Sequence, residues 1–78
     1  MTPEKLEQLI TADLDVTSIA TSGAGGKFEV EVCSAAFADL STLKRHQMVY
    51  KIVNEYISSG ELHALSIKAH TPEELQNL

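Results

Sequence analysis

The amino-acid sequence predicts an α+β fold in the order α-β-β-α-β-α, a three-stranded sheet with its helices on one face. Three observations predict it. Residues 27–33 alternate strictly, with Phe28, Val30 and Val32 on one side and Glu29 and Glu31 on the other, as a half-buried strand requires. Four small residues, Gly23-Ala24-Gly25-Gly26, stand directly before that strand and have the composition of a hairpin connection. Thr-Pro-Glu occurs twice, at 2–4 and 71–73, where a capping hydroxyl, a proline suited to the first turn and an acid facing the helix dipole mark helix starts.

The elements follow in order. After Thr2-Pro3-Glu4, Leu6, Leu9, Ile10 and Leu14 fall on one helical stripe. Val16 to Ser22 reads as a first strand from its β-branched residues, and the Gly-rich segment 23–26 turns it into the strand 27–33, giving an antiparallel hairpin. Ser34 to Leu40 connects, with a short helical turn around Phe37. Ser41 caps a long helix over 42–58, whose Leu43, Val49, Ile52, Val53, Tyr56 and Ile57 form a broad core-facing stripe, and Gly60 ends it. His63 to Ala69 alternates again and forms the third strand. Thr71 and Glu74 then make a full capping box for a last short helix.

Composition bounds the function. A chain of 78 residues makes a single domain, 1–78, with a core too thin to enclose a large substrate pocket. With no Trp, two Phe and two Tyr, aliphatic side chains must fill that core. The single cysteine, Cys33, excludes an internal disulfide framework and fits a reducing compartment. Residues 1–20 carry four acids and no basic-then-apolar run, and no apolar stretch approaches the ~20 residues of a membrane span. The expectation is a cytoplasmic protein that meets no membrane.

The net charge of −5 is unevenly placed. Residues 1–26 hold one base against four acids, and 69–78 hold two acids and no base. The middle balances Lys27, Lys44, Arg45, Lys51 and Lys68 against five acids. Affinity for nucleic acid comes mostly from phosphate neutralisation, so this balance predicts weak DNA binding at best.

No catalytic constellation is present. The Gly-rich turn followed by Lys27 continues into Phe28 and a strand, so no helix N-terminus faces a phosphate. The same four residues satisfy the Gly-x-x-Gly pattern of KH modules, but there the loop joins two helices and here it joins two strands. Cys33 has no adjoining base to lower its thiol pKa. His46 sits beside Lys44 and Arg45 as a boundary residue of the long helix, and His70 precedes a cap. His63 stands at the mouth of the last strand, where an imidazole can reach solvent while the strand fixes its backbone. One Cys and three scattered His give no paired zinc spacing. The residues alone indicate a binding module rather than an enzyme.

The segment Leu43-Lys44-Arg45-His46-Gln47-Met48-Val49-Tyr50, then Leu62-His63-Ala64-Leu65-Ser66-Ile67 and Thr71-Pro72-Glu73, resembles the BolA family. The likeness spans nearly the whole chain, and its Ser-Ile-Lys-Ala-x-Thr-Pro-x-Glu ending is most similar to the short bacterial acid-stress branch. The resemblance implies a fold like the class II KH domains, and two functions. The first is a non-enzymatic adaptor for a monothiol glutaredoxin, sharing a 2Fe-2S cluster with it in cluster trafficking or iron and stress regulation. The second is DNA binding and transcription regulation in the stress response, which would use Lys44, Arg45, Lys51, Lys27 and Lys68. The histidine of the His-Ala-Leu signature is the family's cluster ligand, here His63, and Arg45, His46 and His63 are the implied partner contacts. Members often carry a second histidine or cysteine in the hairpin loop. This chain has Lys27 before Phe28 and Ala24-Gly25-Gly26 in the loop, and a protonated Lys cannot ligate iron. The second ligand is therefore missing, or comes from Cys33, from the partner, or from glutathione on the partner, and the isolated chain should hold no cluster.

Overall fold

The computed structural model describes residues 1–77. Its elements are α1 (Pro3–Asp13), β1 (Ser18–Ala24), β2 (Lys27–Cys33), a 3-10 turn (Ala35–Phe37), α2 (Thr42–Ser59), β3 (Ala64–His70) and α3 (Pro72–Gln76), in the expected order. Strand order is β1-β2-β3, with β1 antiparallel and β3 parallel to the central β2. Parallel neighbours need a crossover, and α2 supplies it.

Each helix begins where a hydroxyl satisfies a free backbone donor. Lys5 N donates to Thr2 Oγ1, Lys44 N to Ser41 Oγ and Glu74 N to Thr71 Oγ1. Leu6 and Ile10 of α1 and Val49 and Val53 of α2 bury against Phe28, Val30 and Val32 of β2 and Ile67 of β3. Phe37 and Leu62 close the ends of this layer from the connecting segments. Among the described residues nothing covers the opposite sheet face, and Glu29, Glu31, Ser66 and Lys68 stand exposed on it. Among the described residues no helix is long and apolar enough to cross a membrane.

Three expectations shift. The first strand starts two residues later than Val16 and runs through Gly23 and Ala24. The turn is thereby only Gly25-Gly26, with φ of +63° and +81°, the sign pattern of a type I′ hairpin whose twist matches its strands. The third strand begins at Ala64 and takes in His70, so His63 precedes it. Leu43 and Ile57, expected in the core, are 67% and 37% exposed. On a helical wheel they lie together with Tyr50, spaced by sevens, off the Val49–Val53 centre of the buried face.

Candidate functional site

The two ends of the β2–β3 ladder are built differently. At one end Cys33 pairs with His70, and the chain turns inward at Ser34 and Thr71, both buried. Ser34 Oγ donates to Asp15 O at 2.6 Å and accepts from Ala36 N, while Ser34 N donates to His70 O. Arg45 anchors α2 to this end: Nε donates to Leu40 O at 3.0 Å and Nη1 to Ala69 O at 3.1 Å. Nη1 and Nη2 fork onto the two carboxylate oxygens of Glu74, at 2.6 and 2.9 Å. Glu74 Oε1 also accepts Thr71 N, completing the capping box. The Arg45 hydrogen bond, then the Thr71 amide, hold the Glu74 carboxyl down to about 2, and the same hydrogen bond raises Arg45.

At the other end the hairpin turn meets the start of β3. Gly26 O accepts His63 N at 2.7 Å and Ala64 N at 3.1 Å, so the backbone of His63 is tied to the turn. Gly60, at φ +85°, ends α2 and turns the chain into this segment. The His63 side chain is exposed, and its imidazole lies over Gly26. Next to it runs an open groove lined by Tyr50, Ile57, Leu62, His63, Ala64 and Leu65. Tyr50 Oη donates to Leu65 O at 3.1 Å, bracing α2 along the outer edge of β3. Among the described residues the exposed large hydrophobic side chains, Leu43, Tyr50 and Ile57, are those of this one side of α2.

The structure separates some residues that the sequence grouped. Cys33 is free, 2% exposed, and six ladder positions from Lys27, which puts it about 20 Å from the His63 end at the usual strand rise. The donor set at the His63 end is therefore one imidazole, and no group of three or more metal-ligating side chains forms among the described residues. A cluster at the His63 end would need its other ligands from another molecule. Arg45 serves the closed end and His63 the open one, while His46 is half-buried beside Arg45 in the first half of α2. Of the five bases, Lys44 and Lys51 are exposed on the helical layer, Lys27 and Lys68 lie on the uncovered sheet face, and Arg45 is paired. Lys68 stands opposite Glu31, which is also 3.6 Å from His70 Nε2.

The sequence reading missed two features. The spacing of Leu43, Tyr50 and Ile57 by sevens could have separated the exposed stripe from the buried one. The Arg45–Glu74 pair spans 29 residues, and nothing local announces it.

Comparison with known proteins agrees with this architecture. The model of the BolA family, described as BolA-like protein, matches residues 4–74. The acid stress protein IbaG of Escherichia coli is 34% identical over 74 residues, covering 95% of this chain and 88% of its own. The solved BolA homologue from Coxiella burnetii superposes with a TM-score of 0.82 at 33% identity, over 97% of both chains. The BolA domain of SufE1 from Arabidopsis thaliana gives a TM-score of 0.82 at 31% identity, over 92% of this chain and 93% of its own.

Proposed function

The chain belongs to the BolA-like protein family, and on that premise we propose that it is a non-enzymatic adaptor for a monothiol glutaredoxin. Its cargo is a 2Fe-2S cluster passed between proteins in iron or stress regulation. The observation that carries this reading is His63: an exposed imidazole on a fixed backbone, at the end of an exposed apolar groove. A ligand that must meet iron on another protein needs both exposure and a surface that holds that protein near it. Tyr50, Ile57 and Leu65 supply apolar contact, and β3 is an edge strand whose outward carbonyl at Leu65 is already capped by Tyr50. The imidazole binds metal only when neutral, through a ring nitrogen lone pair. A 2Fe-2S cluster takes four ligands: His63 supplies one, the glutaredoxin thiolate and its glutathione two more, and the fourth must come from a further group of the partner. Among the relatives one is named an acid stress protein, which suits a role in stress, and a solved relative is a BolA domain of SufE1.

The alternative, a nucleic-acid-binding regulator, has less support, because the exposed lysines divide between opposite faces and the chain carries −5 overall.

Mixing the chain with a cluster-bearing monothiol glutaredoxin tests the proposal. The expected outcome is a one-to-one complex whose visible absorbance and circular dichroism differ from those of the glutaredoxin alone, while the isolated chain stays colourless. His63→Ala should return the spectrum toward that of the glutaredoxin. An unchanged spectrum in that variant removes His63 as ligand, and a stable cluster on the isolated chain removes the single-donor argument.

A further inference from the structure

The seat of the His63 ring is a missing side chain. A Cβ built on Gly26 would collide with Cδ2 of His63 and lie 3.2 Å from Cγ and 3.4 Å from Nε2. On the far side, a Cβ on Gly60 would stand 4.0 Å from Cε1, in ordinary contact. The imidazole therefore rests in a gap between the hairpin turn and the end of α2, with its Cδ2 edge on the Gly26 backbone. Neither ring nitrogen accepts or donates a hydrogen bond among the described residues. Orientation must then come from packing rather than from a partner that fixes one nitrogen, which is the more usual arrangement around a histidine ligand.

The adjoining glycine makes the contrast clean. Gly25 also has positive φ, but a Cβ there meets nothing within 4 Å. Both glycines answer the turn's backbone demand, and only Gly26 touches the ring. We infer that Gly26 is the positioning residue of His63. Its bare Cα lets the imidazole lie down on the turn, and any side chain at 26 would compete with the ring for the same space. The turn thus sets the direction of the His63 nitrogens, and it does so through main-chain surface alone. The first part of this inference concerns the protein by itself. Its consequence for a partner's cluster rests on the function proposed above.

Gly25→Ala and Gly26→Ala form the test, since the two share the cost of a left-handed alanine and differ only at the ring. In the isolated wild-type chain, NMR should show a nuclear Overhauser effect between the His63 Hδ2 and the Gly26 α-protons. Gly25→Ala should keep the His63 ring resonances in place, and Gly26→Ala should move them and abolish the contact. In the complex, Gly26→Ala should weaken the affinity for the cluster-bearing glutaredoxin roughly tenfold relative to Gly25→Ala, the low end of what supporting residues around a ligand contribute. Equal ring spectra for the two alanine variants would overturn the inference. A displaced ring with an unchanged complex would uphold the positioning role and overturn the ligand reading, so the two failures are distinguishable. Should Gly26→Ala not fold, absence of the wild-type contact remains a sufficient refutation.

Discussion

The two ends of the β2–β3 ladder are separated by one strand length and made from opposite materials. The Cys33–His70 end is closed: a buried serine, a capping box and a forked Arg45–Glu74 pair satisfy one another, and the thiol is sealed inside. The Gly26–His63 end is open: two glycines, an exposed imidazole and an open apolar groove. Both ends hold stretches of the BolA-like motifs, so the motifs divide by job. Arg45, Thr71 and Glu74 are spent on joining α2, β3 and α3, and the His63 side chain makes no hydrogen bond among the described residues. Polar side chains that are fully paired within a fold have little left to offer a partner.

The comparison breaks first, if it breaks, at Arg45. Its side chain is 11% exposed, and its guanidinium makes bonds to two backbone carbonyls and a carboxylate. Arg45→Ala should lower stability by about 2 kcal/mol, since it leaves two carbonyls unpaired at a part-buried junction. In a chain of this size that is a fall in Tm on the order of 10 °C or more. Arg45→Lys should recover only part of it, because an ammonium cannot reproduce the planar fork. A loss no larger than that of an ordinary surface substitution would show that the closed end is held by packing instead. Thr71→Ala should cost less, about 1 kcal/mol, the usual value of a helix cap, read by urea unfolding.

The Glu74 pair gives the closed end a pH dependence whose sign is fixed. A carboxyl held down to about 2 from an ordinary 4.5 favours the folded state when ionised. Its contribution is complete above pH 4.5 and is lost as pH falls through about 2. The side chain is 46% exposed, so salt should shrink the effect below that of the cap. Urea midpoints at pH 6, 4 and 2 should therefore converge for wild type and Glu74→Gln at the acid end and separate at pH 6. Parallel curves would mean that the pair does not feel the ionisation.

Much of this was readable before any coordinates. The strict alternation at 27–33 fixed the central strand to the residue, and the caps Thr2, Ser41 and Thr71 placed all three helix starts. What failed to read was set by tertiary pairing. The hairpin register depends on which two of four small residues take the turn, and a string of Gly and Ala does not say. Leu43 and Ile57 look like core from hydropathy, yet α2 is rolled so that Val49 and Val53 face the sheet and these two do not. For the site, His63 was legible and its seat was not. A glycine beside a strand reads as a turn residue, and only the fold brings position 26 under a ring 37 residues away.

The smallest expected effect on stability, and the sharpest use of the contrast, is at His63. Its main chain is held by its own N–H to Gly26 O at 2.7 Å, a bond that survives any substitution other than proline. Its side chain is exposed and makes no hydrogen bond among the described residues, so truncation removes only the contact of the ring with the turn. His63→Ala should thus change the unfolding free energy by less than about 0.5 kcal/mol, within the range of surface substitutions. The backbone amides of His63 and Ala64 should keep their hydrogen-exchange protection, since their bonds to Gly26 O are unaffected. If instead His63→Ala destabilised the chain as much as Thr71→Ala, the imidazole would be a packing element of the turn. The open end would then be as structural as the closed one, and an altered cluster spectrum in that variant would report a disordered surface rather than a lost ligand.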